Sequence, residues 1–380
     1  MKMMTPKNWL AAVSALAFMA GAAHAGGNFA DVEQSGTDND AVVTQSSGDN
    51  FVGRLDQEGY RNKANLTQQG GDGNHAGTIS QQGAANRITL TFSGANNGTT
   101  GFSPGLLAGT SAFARLTQGN VTQTGIDNRI ENFVVEGDRN AFGFNQNGLL
   151  GNRIGGAVTG SDNQFGVYQS GIFDTAAIGV SGVNNEIYIS QDGSFNTAVA
   201  NASGGGNGIL VAQRDNGNSG RIDIAGGANL VKLAQNGGAV IGNNASVAIV
   251  GTGNHADIDQ TKSGFGGANS LALDIFGSEN NKNPFLKAFG GAALLAAQGT
   301  GLEPGLIRQI GSGNSITLNV GKPNSDSNGN VFAFLQDGGY NTIEGSVSGS
   351  SNQVVVVQTG SSNFTSFSQS GSFNIIGVSQ

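Results

Sequence analysis

Beyond residue 25 the chain has two imidazoles, His75 and His255, in matching frames, Gly73-Asn74-His75-Ala76 and Gly253-Asn254-His255-Ala256. An imidazole beside carboxylates is the usual start of a divalent-metal site, and His255 with Asp257 and Asp259 is the one local set of that kind. It is a weak set, whose members are expected on alternating faces of an extended segment, and both histidines are expected to be exposed. Gly70-Gly71-Asp72-Gly73 touches the calcium-binding nonapeptide pattern, which needs tandem copies that the chain lacks. Thr89 and Thr91 suggest an ice-binding face, but the pair does not recur. No pair of carboxylates spaced for glycoside cleavage, no Ser/His/Asp set and no phosphate loop can be assembled. Neither a catalytic residue nor a cofactor or metal is therefore expected. Arg54, Arg61, Lys63, Arg87, Arg129, Arg139 and Arg153 fall in turns or outward slots, where charge serves solvation and restrains aggregation.

The composition explains why chemistry is scarce. Glycine numbers 64 of 380 residues, charged residues make up 12%, and there are 5 prolines and no cysteine. Collagen is excluded by the missing glycine period, and disorder by the Val, Ile, Leu and Phe content. A net charge of −8 disfavours a nucleic-acid partner held by phosphate neutralisation. Lys2 and Lys7, the apolar stretch Trp9 to Ala20 and the small-x-small run Ala23-His24-Ala25 read as a signal peptide over residues 1–25. The predicted location is therefore outside the cell, where a protein without disulfides must rely on backbone ladders and packing. The most apolar later stretch, Phe285 to Ala297, is too short to span a bilayer.

What the residues do carry is a repeat. Gln34-Ser-Gly36-Thr-Asp-Asn39-Asp-Ala41-Val-Val-Thr-Gln45 returns as Gln57-Glu-Gly59-Tyr-Arg-Asn62-Lys-Ala64-Asn-Leu-Thr-Gln68, and again from Gln191 through Gly193 and Asn196 to Ala198. Anchored on the asparagine, 26 units run from Asn39 to Asn374, with Asp174 once in the slot. After each anchor the pattern alternates: Asn163, Phe165, Val167, Gln169; Asn185, Ile187, Ile189, Gln191; Asn229, Val231, Leu233, Gln235. Period two means a strand with one buried face, so Gln164, Gly166 and Tyr168 are expected to point outward. The glycine two residues past the glutamine supplies turn chemistry.

Two such units folded as an arch make a rung of about 22 residues. The fold predicted is all-β, a β-solenoid of about 13 rungs and two parallel in-register sheets, roughly 60 Å long at the usual strand spacing. Stacking sets amide above amide, so Gln34, Asn39, Gln45, Gln57, Asn62, Gln68, Gln146, Gln169, Asn196, Gln213, Asn341, Gln358, Asn363, Gln369, Asn374 and Gln380 join those just named as ladder residues. Irregular insertions interrupt the body, 26–380, at 98–122 and at 281–308, where a Leu/Ala-rich stretch suits a short helix; both are expected at turns.

The string Q-x-G-x-x-N-x-A-x-x-x-Q, met at Gln34 to Gln45 and Gln57 to Gln68, resembles the curlin repeat. Curlins are subunits of curli, the amyloid fibres of bacterial surfaces that serve biofilm matrix and adhesion. The resemblance implies a self-assembling structural role, with a nucleating paralogue and an outer-membrane secretion apparatus as partners. It departs from the pattern in its number of rungs, in a short start at Gly26 to Glu33, and in the aliphatic residues Val135, Val158, Val180, Ala202, Ile224, Ile249, Ile275, Val320 and Val347 in alternate glutamine slots. That alternation predicts a glutamine ladder on one sheet and an aliphatic one on the other. The last rung, Asn363 to Gln380, with Ile376, Val378 and Gln380 presented, is the expected assembly face, unblunted by any cap. Val378→Pro is expected to remove one of its edge donors. The alternative role is that of a monomeric surface adhesin.

Overall fold

Ile187 and Ile189 are fully buried while Ser190 between Ile189 and Gln191 is only partly so, and this two-residue rhythm makes each unit a strand. The structure, a computed structural model, describes residues 27–239, 241–264, 266–282, 289–323 and 327–380; the predicted signal segment lies outside them. Among the described residues the chain forms 27 strands that fall alternately into two sheets, one of 14 strands and one of 13. The first sheet runs from Phe29–Thr37 to Ile375–Ser379, the second from Asp40–Gln45 to Phe364–Ser370. Every strand pairs in parallel with the strand two units away. The register sets like on like: Phe165, Ile187 and Ile209 stack, as do Gln169, Gln191 and Gln213. This is the predicted β-solenoid.

The inner faces of the two sheets meet in one continuous apolar core from Val52 to Val356. Each fully buried Val, Ile, Leu or Phe contributes about 1.5–3 kcal/mol, so a rung with four of them outweighs the cost of closing its turns only with its neighbours in place. The turns are equally close-stacked. At Gly182 the backbone has φ +138°, and a Cβ there would lie 1.8 Å from the carbonyl oxygen of Gly204 in the next rung. Glycine is required because the stack, as well as the dihedral, leaves no room.

Three features differ from the sequence reading. The solenoid begins one unit earlier, at Asn28, whose Oδ1 accepts the Asn50 N–H at 2.9 Å. The insertions do not sit at turns. Both leave a first-sheet strand just after its opening asparagine and fold over that sheet's outer face. Gly166 points outward as expected but is buried there, because Leu116 of the first insertion lies on it. Tyr168 is half-buried on the same face, with the Arg115 guanidinium 4.7 Å above its ring.

Candidate functional site

The residue types that recur at fixed spacing are amides, and the fold brings them into columns. In the first sheet one glutamine column is unbroken: Gln34, Gln57, Gln81, Gln123, Gln146, Gln169, Gln191, Gln213, Gln235, Gln260, Gln309, Gln336, Gln358 and Gln380, each Nε2 donating to the next Oε1 at 2.5–3.1 Å. The second amide proton is also spent. Gln213 donates to the Thr197 carbonyl at 2.9 Å, at the entry of the same rung's second-sheet strand, and Gln191 does the same to Thr175. Each glutamine from Gln57 onward thus ties one sheet to the other as well as rung to rung. In the second sheet the equivalent column has Gln45 and Gln68, bonded at 2.9 Å, then Phe92 and the aliphatics, and finally Gln369. The predicted division between the sheets holds.

Asparagines form the other two columns. Asn163, Asn185, Asn229 and Asn374 open first-sheet strands, where Nδ2 of each donates to Oδ1 of the anchor one rung earlier at 3.0–3.1 Å. Asn39, Asn62, Asn196, Asn341 and Asn363 open second-sheet strands, and there the anchor's backbone N–H donates to the preceding Oδ1. In the amide-to-amide bonds Asn donates to the preceding rung and Gln to the next, so the solenoid has a chemical sense. The glutamine column also takes in Gln123, Gln260, Gln309 and Gln336, which are not among the ladder residues named from the sequence, although Gln260 and Gln336 follow the anchors Asn254 and Asn330 at the same spacing as Asn163 to Gln169. The Gln-x-Gly signal marks three of them, through Gly125, Gly311 and Gly338.

Asp174 stands in the second-sheet asparagine column, fully buried, with Oδ1 accepting both the N–H and the Nδ2 of Asn196 at 2.9 and 3.1 Å. Its Oδ2 is buried without a hydrogen-bond partner. Burial pushes this carboxyl up to about 7, against the pull of the two Asn196 donors, and the Asp192 charge adds to the push.

The histidines are less exposed than expected. His75 is partly buried with Phe51 edge-on at 4.8 Å. His255 is partly buried with an inaccessible, unpartnered Nε2, and burial lowers the pKa of both rings. His255, Asp257 and Asp259 lie on one face of their strand, not on alternating faces, since alternate residues share a side. Asp259 is committed to Arg308 at 3.4 Å, and no cluster of three metal-ligating side chains occurs among the described residues.

The first insertion is pinned by two side chains. Gln164 accepts the Ser103 N–H at 2.6 Å and donates to its carbonyl at 2.9 Å. The carboxylate of Glu186, nearly buried, accepts the backbone N–H groups of Gly105, Leu106 and Leu107. Leu107 and Phe113 then cover Tyr188. Removing a charged acceptor that serves three donors costs about 1.5–3 kcal/mol. Glu186→Ala should therefore raise tryptic cleavage after Arg115 about tenfold or more, with strand content by circular dichroism unchanged.

At the ends each sheet has a strand paired on one side only, Phe29–Thr37 and Asp40–Gln45 at one, Phe364–Ser370 and Ile375–Ser379 at the other. Ile376, Val378 and Gln380 do point to the core side of the last strand. The expected role of the Val378 N–H, however, is overturned. Gln380 donates to the Val357 carbonyl and accepts from the Thr359 N–H, so the even-numbered residues bond to the preceding rung. The N–H groups on the open side belong to Ile375, Gly377 and Ser379. Helix α1 (Gly291–Ala297), from the second insertion, overlies the outer face of this strand and leaves its edge unpaired. Among the described residues no helix is long and apolar enough to cross a membrane. No protein-family model matches this chain, and no curated protein is similar to it.

Proposed function

We propose that this protein is the structural subunit of an extracellular, curli-like amyloid fibre, growing by head-to-tail stacking of end rungs. The observation that carries the reading is the glutamine column, which keeps one sense through all 14 strands of the first sheet and reaches both edge strands. A rung of a second copy placed after Ile375–Ser379 continues the Gln and Asn columns in their own sense, whereas head-to-head contact sets donor against donor. Such a contact does not close on itself and yields a filament. Open edges with a backbone ladder and low charge are the features that invite strand addition.

Electron microscopy and amyloid-dye fluorescence of the purified mature protein provide the test. Filaments are expected, and elongation should fall about tenfold or more in a Ser379→Pro, Ser368→Pro variant. Both residues are exposed, and both present their N–H to the open side: Ser379 by the parity above, Ser368 because Asn363, of opposite parity, accepts the Thr342 N–H. Growth of this variant at the wild-type rate removes the stacking mechanism. A mature protein that stays monomeric at high concentration removes the fibre itself and leaves the surface adhesin.

A further inference from the structure

The two insertions are built alike. Each leaves the first sheet one residue after the ladder asparagine, at Gly98 after Asn97 and at Asn281 after Asn280, where the N–H groups of Gly98 and Asn281 donate to Asn140 and Asn330. Each returns on a glycine, Gly119 or Gly305, that accepts from the rung before (Gly77, Asp257) and donates to the rung after (Phe142, Phe332) at 2.7–2.9 Å. Between those points each runs forward over one outward column, formed by the residue following every first-sheet anchor. Two rungs on, both find a glutamine: Ser103 donates to Gln164 Oε1 at 2.6 Å, and Gly290 to Gln353 Oε1 at 2.8 Å.

From there they differ. The first insertion continues onto Glu186, Gly208 and Leu230, five rungs from its origin, with the Leu106 side chain against Gly208. The second reaches Ile375 in the third rung, where Gly291 and Ala292 of α1 lie on Ile375 and Gly377, and the described column ends. Its helix carries Leu294 and Leu295, 52% and 73% exposed, beside a half-exposed Ile375. At the other end the same column opens with Phe29 and Phe51, stacked at 5.1 Å and likewise exposed. In a head-to-tail stack these two rings occupy the fourth and fifth rungs, the places that Gly208 and Leu230 hold under the first insertion.

We propose that α1 is an intermolecular clasp: Leu294 and Leu295 dock on Phe29 and Phe51 of a second copy, so that each joint is held on its outer face as well as through its backbone ladder. The clasp rests on the fibre reading, and deepens it by naming a second interface and its residues. The chain has no cysteine, which makes cross-linking clean. A Phe29→Cys, Leu294→Cys variant, assembled under reducing conditions and then oxidised, should give covalent dimers and higher oligomers on a non-reducing gel. Within one molecule the two positions lie near opposite ends of the stack. A second variant, Leu294→Ser with Leu295→Ser, should leave the monomer folded by circular dichroism and raise the concentration of soluble protein in equilibrium with fibres about tenfold. Fibres that form without cross-links, or a soluble concentration that does not move, overturn the clasp and leave the fibre reading intact. Failure of the unmodified protein to form fibres overturns both.

Discussion

Gln213→Glu should lower the protein's denaturation midpoint much more than Gln213→Leu at neutral pH. The wild-type amide is 1% exposed and fully used: Nε2 donates to Gln235 Oε1 at 2.8 Å and to the Thr197 carbonyl at 2.9 Å, and Oε1 accepts from Gln191 at 2.9 Å. A glutamate keeps the acceptor but sets a second oxygen against those of Gln235 and Thr197, in a column with no cation. The charge must either be buried unpaired or be neutralised by taking up a proton, and each route costs several kcal/mol. A leucine leaves Gln191 one acceptor short and Gln235 Oε1 one donor short, although the bond of Gln191 to Thr175 at 2.9 Å survives, and adds apolar surface that fits the core. Its net cost is about 1–3 kcal/mol. The glutamate variant should also recover part of its loss in acid, where the protonated carboxyl donates as the amide did. Urea midpoints at pH 4 and pH 8 for the three proteins check both statements. Equal midpoints for Glu and Leu at pH 8 place residue 213 outside a buried ladder.

The contrast between what the residues announced and what they concealed has a physical origin. Side-chain parity was legible because burial selects residue types: Phe165 and Val167 could only face in, and Gln169 could be buried only if its copies satisfied it. Backbone parity was not, since nothing in the type of Val378 or Ser379 tells which neighbouring rung receives its N–H. Asn28 stands close to the expected cleavage site, yet Asn28-Phe29-Ala30-Asp31-Val32-Glu33-Gln34 has the same spacing as Asn163 to Gln169. The loops at 98–122 and 281–308 were recognised as interruptions but misplaced. Their apolar residues find partners on the outward face of strands several rungs away, so the burial of Gly166 and Tyr188 depends on contacts that local pattern does not encode.

Asp174→Asn should stabilise the protein strongly above pH 7 and hardly at all near pH 4. Elsewhere in this column Nδ2 of the anchor donates to a turn carbonyl: Asn152 to Gly171 at 3.1 Å, and Asn196 to the Asp215 carbonyl nineteen positions on at 2.8 Å. The repeat puts the Gly193 carbonyl in that place for Asp174, whose Oδ2 is instead a buried acceptor without a donor. Protonation turns that oxygen into the donor the column calls for. The sign follows from the carboxyl's raised value, about 7 in the folded chain against an ordinary 3.8. The folded state binds the proton more tightly than the unfolded chain, so the full stability is present below pH 3.8, drains away as pH rises toward 7, and stays lost beyond. A difference of that size corresponds to about 4 kcal/mol. Asparagine carries its own donor at every pH, so the variant should lose this slope while keeping the contributions of the other carboxylates. Denaturant midpoints of the two proteins should nearly coincide at pH 4 and separate progressively to pH 8. A separation that is the same at both ends of the range means that Asp174 does not titrate in the folded column.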